Sequence, residues 1–109
     1  MRTFFVAGTD TGVGKTIISC AMATAFRLNG YKVGVMKPVA CGSWDDSERL
    51  KRAAGCDDAL SEITPIYLKE PLSPNVAAKL EKRSIRLSSI QRSYEKLRKK
   101  YDVLIVEGC

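Results

Sequence analysis

The sequence predicts an α/β domain built on a doubly wound, mostly parallel sheet. Three observations predict it. A short β-branched and aromatic run, TFFVAG, breaks at glycine and leads into a helical pattern; strand-like runs alternate with helical segments along the chain; and Val103 to Val106 form an uninterrupted apolar run, as in strands covered on both faces. In such sheets ligands are held outside the carboxyl ends of the strands. A chain of 109 residues, 45% hydrophobic and 28% charged, has the composition of one globular domain with one core.

After the first strand, KTIISCAMATAFRLNG carries Ile17, Ala21, Ala25 and Leu28 at helical intervals. Asn29 and Gly30 stop that helix, because both residues tolerate the left-handed backbone that follows a last turn. YKVGVMKPV reads as a second strand ended by Pro38. WDDSERLKRAAG reads as a short helix, with Asp45 and Glu48 as a capping box and Gly55 as its close. DDALSEI predicts one or two further helical turns started by Asp57 or Asp58. The three prolines of TPIYLKEPLSPN make that stretch extended or turning, and NVAAKLEKR returns to helix. A longer helix starts at Ser88, with Gln91 completing a capping box and Ile90, Tyr94, Leu97 and Tyr101 on one face; it runs into the strand DVLIVEG.

Several function classes are disfavoured. The apolar first strand is too short for a signal-peptide core or a membrane span, so a cytoplasmic location without membrane partners is expected. The four cysteines, Cys20, Cys41, Cys56 and Cys109, show no C-x-x-C spacing, and there is no histidine to complete a zinc site; they read as thiols of a reducing compartment. The net charge of +6 resides mainly in EKRSIR and QRSYEKLRKKY, where helical spacing puts many basic residues on a solvated face, so nucleic acid is not the expected partner.

The chemistry is concentrated in GTDTGVGKT, Gly8 to Thr16. It matches the phosphate-binding loop G-x-x-x-x-G-K-[ST] except that Thr9 occupies the first position. Gly12 and Gly14 let backbone N–H groups converge on a phosphate between a strand and a helix, Lys15 adds a cation, and Thr16 offers a hydroxyl to Mg²⁺. The bland reading is a glycine-rich strand-to-helix turn, against which the G-K-T ending and the flanking elements count. Glu107, at the end of a buried strand, resembles a Walker B acid and supplies anionic oxygen for a metal. An ordinary solvated strand-end glutamate would not require so long an apolar run before it. Lys37, at the end of the second strand, faces the same edge of the sheet; two lysines flanking one anion stabilise charge developing on phosphoryl or carboxylate oxygens.

With these residues in place, GTDTGVGKT, KPVACG, DDAL, PLSP and the terminal VEG occur in the order and spacing of dethiobiotin synthetase, and the chain resembles the N-terminal half of that family over essentially all its length. Thr9 departs from the strict loop as the family does. The resemblance implies a P-loop NTPase-like fold and an ATP-dependent cyclo-ligase that carboxylates 7,8-diaminononanoate with CO2. A carbamate forms on one amine, ATP phosphorylates it, and the second amine closes the ureido ring of dethiobiotin. It further implies that Thr9, Asp10, Thr11, Gly12, Val13, Gly14, Lys15 and Thr16 hold the ATP phosphates, with Thr11 and Lys15 also near the carbamate. Thr16, Asp58 and Glu107 would hold Mg²⁺, and Lys37 would bind the carbamate and the transferred phosphoryl group. Asp58 heads the D-A-L match, and a one-residue shift of alignment exchanges it with Asp57.

Cys41 stands where the family commonly has a hydroxyl that contacts substrate; its weaker hydrogen bonding leaves Ser43 as an alternative contact. No histidine exists to activate Cys41 as a nucleophile. The resemblance also implies a homodimer for the full-length protein, with adenine recognition and part of the substrate site in a second half beyond Cys109. On that expectation residues 1–109 alone are marginally stable and inactive. A rival class, the partitioning-type ATPase switch, shares the fold but carries an additional lysine early in the loop, where this chain has Thr9, Asp10 and Thr11.

Overall fold

The computed structural model describes residues 1–8, 14–71, 74–81 and 85–108. Thr9, Asp10, Thr11, Gly12 and Val13 of the expected phosphate loop lie outside the described residues, as do Ser73 of PLSP and Cys109. The elements run β1 (Arg2–Val6), α1 (Gly14–Leu28), β2 (Val33–Met36), β3 (Val39–Cys41), α2 (Asp45–Ala54), α3 (Leu60–Ile63), β4 (Ile66–Leu68), α4 (Pro74–Leu80), α5 (Leu87–Arg98) and β5 (Val103–Glu107).

The main sheet is parallel, in the order β1-β5-β2, and the chain's last strand is central. Every residue of β5 is buried, as its unbroken apolar run predicts for a strand with helices on both sides. Alternation along the strands then sorts the core into two layers. Val103 and Ile105 of β5 join Val33 and Val35 of β2 and Phe4 and Val6 of β1 beneath α1 and α2, packing on Ala23, Leu50 and Ala54. Leu104 and Val106 of β5 and Met36 of β2 face the opposite way, onto Leu97, Tyr94 and Ile90 of α5 and onto Tyr101. Helices on both faces of a parallel sheet are the doubly wound architecture that the sequence predicts.

Pro38 ends β2, but the backbone resumes at once as β3, a strand the sequence pattern did not reveal; it pairs in parallel with β4 in a second small sheet. The extended reading of TPIYLKEPLSPN holds at β4. Helix α1 forms, yet its buried residues are Thr16, Ser19 and Ala23, whereas Ile17 and Leu28 are 62% and 74% exposed. Phe26 anchors the helix by stacking on Phe4 at 5.3 Å. Its end follows the expectation: Gly30 is left-handed (φ 89°), its N–H donates to Arg27 O, and Asn29 Nδ2 donates to Ala25 O.

The capping boxes do not form. Trp44, not Asp45, occupies the N-cap of α2, and Ser43 Oγ accepts the Asp45 N–H. Arg86 occupies the N-cap of α5, so Ser88 lies inside the helix, and Ala59 rather than either aspartate precedes α3. Gly55 closes α2 in a left-handed conformation, as expected. Tyr101 keeps its place on the α5 face, although the helix ends at Arg98. Among the described residues no helix is long and apolar enough to cross a membrane.

Candidate active site

The parallel register brings three strand ends to one edge. Val6 pairs with Glu107 and Met36 with Val106, so Gly8, Lys37 and Glu107 emerge side by side. Glu107 continues the odd-numbered face of β5 and Lys37 that of β2, so both turn toward α1 and α2. On α1, Thr16 is 5% exposed and its Oγ1 donates to Glu107 Oε1 at 2.8 Å. Lys37 Nζ reaches Glu107 Oε2 at 3.5 Å, and Glu107 itself is 1% exposed. Burying a carboxylate this deeply is costly without partners, and here a hydroxyl and an ammonium supply them.

Gly14 opens α1, whose first N–H groups have no intrahelical acceptors and aim at the same edge. Lys15 runs beside Gly8, and its buried Nζ has no hydrogen-bond partner among the described residues. An ammonium shielded from water without a partner is unfavourable, and an anion such as a phosphate would relieve it.

Asp58 is not part of this cluster, contrary to the expectation. Its carboxylate accepts hydrogen bonds from Lys100 Nζ and Tyr101 Oη, at the entry to β5. Glu107 leaves β5 six residues later, roughly 20 Å away at about 3.3 Å per strand residue. Burial works against the charged form of Asp58, but the bonds from Lys100 and Tyr101 prevail and hold it below the usual carboxylate range. Asp57 is exposed. The acid that the fold does bring to the edge is Asp46, in the first turn of α2, with Oδ2 at 3.7 Å from Lys37 Nζ. Sequence reading missed it because DDAL drew the motif match, and the acidic start of the helix, Asp45 and Asp46, was read only for capping.

Cys41 is half-buried in β3 opposite Leu68, next to Gly42, whose left-handed φ of 84° and contact with Pro71 leave no room for a side chain. Ser43 is engaged at the start of α2. Burial, and secondarily Glu107, push the Cys20 thiol up, away from the reactive thiolate. An apolar groove of about 400 Å³, lined by Phe5, Leu87, Ile90 and Tyr94 among others, lies on the α5 face and contains none of the residues of this cluster.

The donors suit a hard cation. Among the described residues no group of three or more His, Cys, Asp or Glu could hold a metal ion, whereas the Thr16 hydroxyl and the Glu107 and Asp46 carboxylates are oxygen donors at one edge. Mg²⁺ is characteristically bound by one or two carboxylates together with phosphate oxygens and water, so the residues present fit it.

Comparisons with known proteins bear on the family of the chain. A family model described as AAA domain matches residues 2–109. ATP-dependent dethiobiotin synthetases are similar in sequence: that of Methanococcus vannielii is 42% identical over 96% of this chain and 50% of its own length. That of Bacillus velezensis is 42% identical over 100% and 49%, and that of Methanocaldococcus jannaschii 44% identical over 96% and 51%. The chain therefore spans about half the length of the curated relatives it matches.

Proposed function

From the premise that this chain belongs to the AAA-domain family, we propose that it is part of an ATP-dependent dethiobiotin synthase, carrying the phosphate-binding and metal-binding side of the active site. The observation that carries the reading is the buried Lys15 ammonium, without a partner among the described residues, beside the Thr16–Glu107–Lys37 cluster at the carboxyl edge of a parallel sheet.

In this reading the loop from Thr9 to Thr16, with Asp10, Thr11, Gly12, Val13 and Gly14, wraps the phosphates of ATP. Thr16, Glu107 and Asp46 would hold Mg²⁺, with Asp46 in the role first expected of Asp58. When bound, the ion would neutralise charge on the nucleotide phosphates.

One amine of 7,8-diaminononanoate adds to CO2 and loses a proton, giving a carbamate. A carbamate oxygen then attacks the γ-phosphorus of ATP, and ADP leaves. The second amine attacks the carbamoyl carbon, closes the ring and expels phosphate. Lys37 stabilises the carbamate and the phosphoryl oxygens as charge moves between them, and Lys15 stabilises the phosphate side. Glu107 keeps the Lys37 side chain against the edge of the sheet, while Thr11 and Cys41 border the substrate. The full-length protein works as a homodimer in the cytoplasm in this reading.

The test is ATP consumption by the full-length protein with and without diaminononanoate and bicarbonate. Consumption that requires both, with dethiobiotin formed, is expected. Hydrolysis indifferent to both overturns the reading in favour of a nucleotide switch.

A further inference from the structure

Asp46 is the acid of the cluster least held by its own surroundings: its side chain is 39% exposed, and its ion pair with Lys37 spans 3.7 Å. Its position therefore depends on where the first turn of α2 sits. Among the described residues, two side-chain contacts tie that turn to one stretch of chain. The Ser47 and Thr64 hydroxyls, both buried, hydrogen-bond at 2.5 Å. The Trp44 ring lies flat on Tyr67 of β4, with centroids 4.4 Å apart and planes 5° from parallel. The same stretch holds the backbone that carries Lys37: Lys37 N–H donates to Ile63 O at 2.9 Å and Ile66 N–H donates to Pro38 O at 3.2 Å.

We infer that the segment 63–67 is a positioning element for the site, which sets Asp46 of α2 against Lys37 at the end of β2 through the Ser47–Thr64 hydrogen bond and the Trp44–Tyr67 stack. Thr64 and Trp44 are positioning residues and act through Asp46. The inference rests on the magnesium–nucleotide reading above and adds a requirement to it: losing the Thr64 hydroxyl weakens the metal-dependent part of nucleotide binding and leaves the metal-free part unchanged.

The experiment is an ATP titration of the full-length protein with Mg²⁺ and with chelator, on the unsubstituted protein, Thr64→Val, Thr64→Ser, Asp46→Asn and the double variant Thr64→Val/Asp46→Asn. Thr64→Val is expected to reduce the Mg²⁺-dependent gain in affinity about fivefold, on the order of the coupling between contacting residues. Thr64→Ser, which restores a hydroxyl, is expected to recover it. In the Asp46→Asn background Thr64→Val is expected to cost nothing further, whereas a general structural role would subtract in both backgrounds.

An unchanged Mg²⁺ gain in Thr64→Val, an equal further loss in the Asp46→Asn background, or a parallel loss of metal-free affinity each overturns the inference. If Thr64→Val does not fold, Trp44→Ala takes its place with the same expectations. If the unsubstituted protein binds no ATP, the nucleotide reading falls and the inference with it; if it binds and only the coupling is absent, the inference falls alone.

Discussion

Lys15 and Asp58 show how one residue's surroundings separate function from stability. Lys15 carries a buried charge without a partner among the described residues. Lys15→Met is therefore expected to keep or raise the melting temperature while weakening ATP binding about tenfold to a hundredfold, as for loss of a charge-assisted hydrogen bond of about 1.5–3 kcal/mol. Thermal unfolding and ligand titration on one preparation check both halves. Asp58 is the reverse case. Its carboxylate is satisfied by Lys100 and Tyr101, so Asp58→Asn is expected to destabilise the fold by about 1–3 kcal/mol and leave nucleotide binding alone. Because the folded state holds this carboxyl below its ordinary value, its stabilisation is fully present above the unfolded value of about 3.9 and is lost as pH falls through the folded one. Denaturation curves should thus show a constant gap between wild type and Asp58→Asn near neutrality that closes only in acid. A gap unchanged in acid would mean that the carboxylate charge contributes nothing.

At the scale of elements, β2 meets the segment between α5 and β5 with almost no clearance. A Cβ on Gly34 would stand 2.2 Å from Tyr101 Cδ2 and 2.8 Å from its Cγ, atoms of a rigid ring that is 8% exposed and tied through its hydroxyl to Asp58. Gly34→Ala is expected to destabilise by at least about 1–3 kcal/mol in chemical denaturation, since neither the ring nor β2, paired along its length with β5, can yield freely. The elements also show what a linear pattern reports. The helical period in α1 was legible, but apolar spacing favoured Ile17, Ala21, Ala25 and Leu28, while the sheet receives Thr16, Ser19 and Ala23. Small residues on that face let the helix approach the strands and leave Thr16 facing Glu107. β3 and β4, of three residues each, are too short to carry a period, and their pairing joins residues 27 positions apart, as in Val39 with Ile66.

Over the whole molecule, apolar surface is distributed unevenly. Phe5 is 72% exposed on one face of the edge strand β1, and Ile17, Ile18 and Leu28 are exposed on α1. Uncovered apolar side chains beside a strand edge favour association. The 109-residue chain is expected to self-associate with rising concentration, and Phe5→Ser with Ile17→Lys to lower that tendency without lowering the melting temperature. Sedimentation at several concentrations checks this, and equal association by the double variant would count against these surfaces as the cause.

The sequence by itself determined the parallel α/β architecture and the burial of the strand Val103–Glu107 on both faces, and it singled out Lys15, Thr16, Lys37 and Glu107 as candidates for one edge of the sheet. Those properties are local: a glycine-rich turn, an unbroken apolar run and a charge at a strand end each state their environment within a few residues. Only the tertiary structure decided which aspartate joins them. Asp46 and Asp58 lie 12 positions apart in similar acidic, helix-forming stretches. Helix α2 presents one beside Lys37, whereas the turn after Gly55 delivers the other to Lys100 and Tyr101 at the far end of β5. The distinction is one of distance along a strand, and it exists only once residues 70 positions apart, such as Lys37 and Glu107, have been brought together by the sheet.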